Sequence, residues 1–201
     1  MTFSKQEEFW KNSFGTQYVD RNNSKALLES NIIFFKNILS NISEITSCIE
    51  FGSNIGLNLL ALKSLNPNLQ PLGVEINARA CAEMEKLGLP HINNSFLNDT
   101  DFGMFDLTLS KGVLIHINPE LLDVAYSKIY NSSKKYILLC EYYNQIPIQI
   151  QYRGHDGVLF KRDFAGEMLE KYQDLKLLKY GFSYFRDDPM QDDITWFLLE
   201  K

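Results

Sequence analysis

The stretch Cys48-Ile49-Glu50-Phe51-Gly52-Ser53-Asn54-Ile55-Gly56 holds residue types and spacings that could do chemistry. An apolar run leads to a carboxylate, a short turn with two glycines, and then Leu57-Asn58-Leu59-Leu60-Ala61-Leu62. That order predicts a strand, a tight turn and a helix, the place where an open α/β sheet takes its ligand. Glycine lets the backbone adopt positive φ and lets a ligand come close. The pattern Glu50-x-Gly52-x-Asn54-x-Gly56 is one residue short of the dinucleotide turn Gly-x-Gly-x-x-Gly and polar in the middle. A carboxylate at a strand end suits an ammonium group better than a pyrophosphate. Glu75 ends a second apolar run about twenty residues past the turn, where an acid can hold the two ribose hydroxyls of an adenosine. The plainer readings are an ordinary strand-to-helix turn and a solvated Glu.

Other reactive groups fall at the ends of later strands. Asn94, Ser95 and Phe96 follow a short third strand, where a group contacting adenine is expected. Lys111 and His116 follow the fourth. His116 is either a satisfied structural histidine or a base beside the acceptor. The stretch 142–163 concentrates Tyr143, Tyr152, Arg153, His155, Lys161 and Arg162 between glycines. Loops of that composition usually carry function. Arg153 and Arg162 could hold a phosphate or carboxylate. His155, next to Asp156, could be an oriented base. The N-terminal aromatics Phe9, Trp10, Phe14 and Tyr18 read as helix packing or as a lid that turns Tyr18, Arg21 and Asn22 toward the site.

Composition narrows the class. The 201 residues suggest one domain with a sizeable core, and 45% hydrophobic with 22% charged residues is ordinary for a globular protein. A net charge of −5 argues against an extended nucleic-acid surface. The three cysteines Cys48, Cys81 and Cys140 are far apart and form no metal-binding pattern. No metal is expected. No apolar run reaches membrane-spanning length, and the first residues lack the apolar core of a signal peptide. A cytoplasmic location is expected.

The elements that must position these groups follow a strand–helix alternation. Residues 24–40 predict a helix capped by Ser24. Strands are expected at 43–51, 70–76, 91–93, 104–110 and 135–140, with helices at 56–65, 78–87 and from Asn118-Pro119-Glu120 onward. Gly15 is expected to interrupt the N-terminal segment. A last helix spans 164–172, and strands at 175–185 and 194–199 close the chain as a hairpin that inserts one antiparallel strand.

The Glu50-to-Gly56 turn resembles the first motif of class I S-adenosylmethionine-dependent methyltransferases, Glu/Asp-x-Gly-x-Gly-x-Gly, with Asn54 in place of the second glycine. Finer features are similar to the methylases associated with pseudaminic acid biosynthesis. They are Phe9-Trp10, Phe14-Gly15, Tyr18, Arg21-Asn22, Gly112-Val113-Leu114-Ile115-His116-Ile117, Glu141-Tyr142-Tyr143-Asn144, Tyr152-Arg153-Gly154-His155 and Phe160-Lys161-Arg162-Asp163-Phe164.

The resemblance implies a seven-stranded Rossmann-like sheet, mostly parallel, with an antiparallel strand from the C-terminal hairpin and helices on both faces. It implies one methyltransferase domain over 1–201: a lid at 1–40, a core at 45–200 and an acceptor loop at 142–163. S-adenosylmethionine would lie on Tyr18, Arg21, Glu50, Gly52, Ser53, Asn54, Gly56, Glu75, Asn94, Ser95, Phe96 and Lys111. His116, His155 and Tyr143 are the candidate catalytic groups. Asn22, Tyr143, Tyr152, Arg153, His155, Lys161 and Arg162 would bind a small, polar, anionic acceptor from surface-polysaccharide biosynthesis. No nucleic acid or membrane partner is expected, and the chain would be a monomer or homodimer. The alternatives are a non-catalytic nucleotide-binding or assembly subunit and, less well matched in turn spacing, a nicotinamide-dependent reductase.

Overall fold

The computed structural model describes residues 3–21 and 24–201, without the side chains of Asp20 and Arg21. Five parallel strands run from one edge of the sheet inward: β1 (Ser47–Phe51), β2 (Gln70–Glu75), β3 (His91–Asn93), β4 (Phe105–Lys111) and β5 (Ser133–Glu141). A separate antiparallel pair is made by β6 (Ile148–Tyr152) and β7 (His155–Lys161). The closing hairpin is β8 (Lys176–Ser183) and β9 (Ile194–Glu200). β9 inserts antiparallel between β5 and β8, giving the order β3-β2-β1-β4-β5-β9-β8.

Side chains alternate across a strand, and the core divides accordingly. Leu107 and Leu109 of β4, with Tyr136, Leu138 and Cys140 of β5, pack on one face. That face is covered by α3 (Lys25–Ile38) and α4 (Leu57–Leu65). Ile49 and Phe51 of β1, with Ile137 and Leu139 of β5, face the other way. They meet α6 (Leu122–Asn131) and α7 (Phe164–Lys171). The amphipathic α5 (Ala78–Lys86) buries Ala80, Cys81 and Met84.

Ser24 caps its helix as expected, accepting from Leu27 N. Asn77 accepts likewise from Arg79 N and Ala80 N, and Asp163 from Gly166 N. Asn118 caps a 3₁₀ turn (Pro119–Leu121) that precedes α6.

Two features depart from the sequence expectation. The N-terminal segment is two helices, α1 (Lys5–Lys11) and α2 (Ser13–Arg21), and Gly15 lies inside α2. A Cβ at Gly15 would sit 1.8 Å from Trp10 O, so this glycine permits close packing within the pair. The expected acceptor loop contains the β6–β7 hairpin. Arg153 and Gly154 form its two-residue turn with φ of 49° and 84°, the pair of positive values a type I′ turn needs. Among the described residues no helix is long and apolar enough to cross a membrane.

Leu138 is fully buried in a central strand. Leu138→Ala is expected to cost about 2–5 kcal/mol, read as a lower denaturant midpoint with an unchanged slope.

Candidate functional site

A cavity of about 210 Å³ lies at the carboxyl ends of β1, β2 and β4. Its floor is the β1 turn. Gly52 N and Ser53 N donate to Val74 O, and Gly56 N closes the turn on Ser53 O. Gly52, Asn54 and Gly56 have φ of 69°, 46° and 80°. Asn is among the few side chains that tolerate this region, so the turn is left-handed at Asn54 without a glycine there. A Cβ at Gly52 would lie 2.4 Å from Val113 Cγ2, and one at Gly56 would lie 2.5 Å from Leu89 Cδ1.

Glu75 ends β2, is buried and lines the cavity. Its Oε2 accepts from Asn54 N and its Oε1 from Asn77 N, each at 2.8 Å. Burial raises its pKa, and these amides pull the other way. Glu50 does not line the cavity. It shares the α3–α4 face with Cys48, two residues before it, and takes a 2.6 Å hydrogen bond from Asn58 Nδ2. Burial drives its pKa to about 8, against Asn58 and Lys111.

Lys111 and Asn58 do line the cavity. Burial lowers the Lys111 pKa, opposed by nearby acidic groups that include Glu50 and Asp192. Buried Glu50 Oε2 and Asn58 Oδ1 have no hydrogen-bond partner among the described residues. Two unpaired acceptors and a lysine at one end of the cavity fit a zwitterionic group, since buried polar atoms are rarely left unpaired.

His116 sits on a 3₁₀ turn (Leu114–His116) after β4. The carboxylate of Glu141 holds this turn. It accepts from Ser110 Oγ at 2.7 Å and from the amides of Val113, Leu114 and Ile115 at 3.0–3.3 Å. Burial pushes the Glu141 pKa to about 7, with these donors acting against it. His116 Nδ1 is 2.5 Å from Val158 O. A carbonyl only accepts, so Nδ1 carries the proton and the neutral ring keeps its lone pair on Nε2. Burial lowers the His116 pKa to about 4. The ring packs on Trp10 at 4.6 Å and Tyr152 at 5.1 Å.

The N-terminal helices form one wall. Gln6, Glu7, Trp10 and Tyr18 line the cavity. Glu7 Oε1 accepts from Ser95 Oγ, and Asn77 Nδ2 reaches the carbonyls of Trp10 and Lys11. On the far side, Gln6 Nε2 donates to Gly157 O at 2.8 Å, and Phe9 packs on His155 at 4.9 Å.

Of the residues expected at the cofactor, Tyr18, Gly52, Ser53, Asn54, Glu75, Asn94, Ser95, Phe96 and Lys111 converge on this cavity. Gly56 and Glu50 lie behind it. The Arg21 side chain and Asn22 fall outside the described residues. Of the expected acceptor groups among the described residues, only His116 lines the cavity. Tyr152 reaches it indirectly, through its ring contact with His116. The others are placed elsewhere, for visible reasons. Arg153 is at the hairpin tip, Arg162 Nε pairs with Glu167 at 2.8 Å, and Lys161 lies over the Tyr142 ring. Tyr143 is exposed beside Phe197, and His155 is exposed against Phe9 and Phe14.

Sequence reasoning missed Trp10, Asn58, Asn77, Glu141, Tyr142 and Asp192. Asp192 hydrogen-bonds Tyr142 and, with burial, raises that phenol's pKa. Its only sequence signal was a polar turn, which the insertion of β9 beside β5 brings to the site. Among the described residues no cluster of His, Cys, Asp or Glu is arranged to hold a metal ion.

The histidine state is testable by ring nitrogen NMR. His116 should show the Nδ1–H tautomer at neutral pH and titrate near 4, below the ordinary 6.5. The unfolded chain then takes up the proton first. This stabilisation is complete above pH 6.5 and is lost as pH falls toward about 4. A midpoint at the ordinary value contradicts the geometry.

No protein-family model and no curated protein sequence matches the chain. Solved structures do. A didemethyltoxoflavin N1-methyltransferase from Burkholderia thailandensis, with its substrate and S-adenosylhomocysteine bound, is similar at TM-score 0.72 and 10% identity over 100% of this chain and 92% of that one. Magnesium protoporphyrin IX methyltransferase from Synechocystis, with S-adenosylhomocysteine, is similar at TM-score 0.68 and 10% identity over 97% of each. A plantazolicin methyltransferase, also with S-adenosylhomocysteine, gives 0.66 and 11% over 98% and 93%. The seven-stranded sheet, its inserted antiparallel strand and these likenesses establish that the chain has the class I methyltransferase fold.

Proposed function

We propose that the protein is an S-adenosylmethionine-dependent methyltransferase acting on a small-molecule acceptor. The observation that carries this reading is Glu75, a buried carboxylate at the end of β2 that lines the cavity beside the left-handed Gly52–Asn54 turn. Glu75 would take the ribose hydroxyls. Asn94, Ser95 and Phe96 would border the adenine. Asn58, with Glu50 behind it, would face the amino group, and Lys111 the carboxylate. When bound, the cofactor supplies an electrophilic methyl group on a sulfonium. The chain's own work is to place the acceptor atom in line with it and to keep water out.

His116 would be the base for a hydroxyl acceptor. Its Nδ1–H is committed to Val158, its Nε2 is unprotonated, and the ring is neutral at physiological pH. His155, exposed on the hairpin, is the weaker candidate. Against the alternative of a non-catalytic subunit, Asn54, which departs from the glycine of the resembled motif, still takes a left-handed φ of 46°.

The finer reading is an acceptor from surface-polysaccharide biosynthesis, small, polar and anionic. It rests on the sequence resemblance over the lid and hairpin. Arg153 and Arg162 do not line the cavity, and Lys111, which does, is assigned to the cofactor's carboxylate. The similar methyltransferases act on other small molecules, so the acceptor class is set by screening. Three free, buried cysteines suit a cytoplasmic setting.

Calorimetric titration tests the cofactor. Micromolar binding of S-adenosylmethionine and S-adenosylhomocysteine is expected, with none for NAD. Glu75→Gln should weaken it at least about tenfold, or roughly 1.4 kcal/mol. Absence of binding overturns the reading.

With an accepted hydroxyl substrate, His116→Ala should lower turnover by about 10²–10⁴-fold while leaving cofactor affinity within a few fold. Near-normal turnover in both His116→Ala and His155→Ala removes the histidine base and points to an acceptor that is already anionic.

A further inference from the structure

A polar relay runs from the turn between β8 and β9 to the cavity wall. Asp188, in that turn, presents a carboxylate, which only accepts, and Ser30 Oγ donates to it at 2.6 Å. With its proton committed, Ser30 Oγ can only accept from Gln191, so the Gln191 amide presents Nε2 to it, at 2.6 Å. The same Nε2 meets the Asn31 side chain at 2.8 Å, so Asn31 turns its Oδ1 that way. Each step leaves the next amide one orientation. Asn31 Nδ2 therefore points away from Gln191, and it donates to no group among the described residues. Asn31 is 2% exposed and lines the cavity. Gln191 holds this arrangement while its own Oε1 is buried without a partner among the described residues, a state few buried amides are left in.

Lys111 lies at the same end of the cavity. Asn31 is on α3, one turn before Phe34, and residues three apart on a helix are neighbours. Lys111 Nζ sits over the Phe34 ring, 5.5 Å from its centre. A buried neutral donor and a cation thus face one region of the wall.

We propose that Asn31 is a second donor, with Lys111, to the carboxylate of bound S-adenosylmethionine, and that Gln191 is its positioning residue. The inference rests on the cofactor reading above. Its chemistry follows from what Asn31 has left. The Oδ1 is taken, so Nδ2 favours an oxygen and disfavours an ammonium group. A hydrogen bond to an ionised carboxylate is stronger than one between neutral groups. The relay therefore selects nucleoside ligands that keep the amino-acid carboxylate over those that have lost it.

Calorimetric titration with S-adenosylmethionine and with its decarboxylated form tests this, since the two differ by that carboxylate alone. The wild-type chain should bind the first at least about tenfold more tightly. Asn31→Asp keeps the shape and the bond from Gln191, and sets an acceptor where the donor was. It should weaken S-adenosylmethionine at least about tenfold and leave the decarboxylated form unchanged or tighter. Gln191→Glu removes the donor that holds Asn31 Oδ1, so the Asn31 amide turns over and the same pattern is expected. If either variant loses its far-ultraviolet dichroism, Asn31→Ala should show the same loss of preference. Equal losses for both ligands make Asn31 structural and overturn the proposal. A wild type that binds both ligands alike overturns it too, and leaves the cofactor reading standing. A wild type that binds neither overturns the cofactor reading and this inference with it.

Discussion

Two buried carboxylates at strand ends hold the working side of this molecule together. Loops leaving a parallel sheet carry amides with no strand to bond. Glu75 takes the amides of Asn54 and Asn77, fixing the β1 turn and the start of α5. Glu141 takes three successive amides from Val113 to Ile115, fixing the turn that carries His116. Burying a carboxylate costs several kcal/mol, and only dense hydrogen bonding offsets that. Both raised pKa values record this balance. Removing either acid would strand several donors at once, so each oxygen fixes more backbone than a neutral partner could.

The second constraint is closure. α1 touches the cavity side through Glu7–Ser95 and the hairpin side through Gln6–Gly157. It bridges elements roughly 90 and 150 residues away in sequence. The bridge is mostly polar around an aromatic centre of Phe9, Trp10 and Phe14. Few apolar side chains of α1 are fully buried, which places the helix among the elements that open at low cost. Anything as large as a nucleoside entering the cavity has to move it or thread beside it.

Much of this was legible in the sequence because its signals are local. Ser24 and Asn118 cap helices through side chains that announce themselves by type. The order of strands followed from apolar runs ended by Glu50, Glu75 and Glu141. What escaped depends on packing between distant segments. Gly15 looked like a helix breaker, yet it is helical because Trp10 O needs its missing Cβ. The hairpin carried readable alternation at Ile148, Ile150 and Tyr152 and a turn at Arg153-Gly154, but its charges drew attention away from the period. Arg162 looked like a ligand residue because no local rule reveals Glu167, which itself also accepts from Tyr126.

The electrostatics of the cavity explain why its charged groups are few and indirect. Arg153 and Lys161 stay on the hairpin, toward water, where a cation is inexpensive. At the cavity wall, burial raises Glu50, set behind Asn58, and lowers Lys111, and each is drawn back by the other. Such a pair is poorly satisfied while Glu50 Oε2 and Asn58 Oδ1 lack partners. A ligand that brings both signs of charge relieves both members of the pair. A singly charged ligand relieves one and opposes the other. His116, neutral and held by Val158 O, adds no charge of its own to this wall.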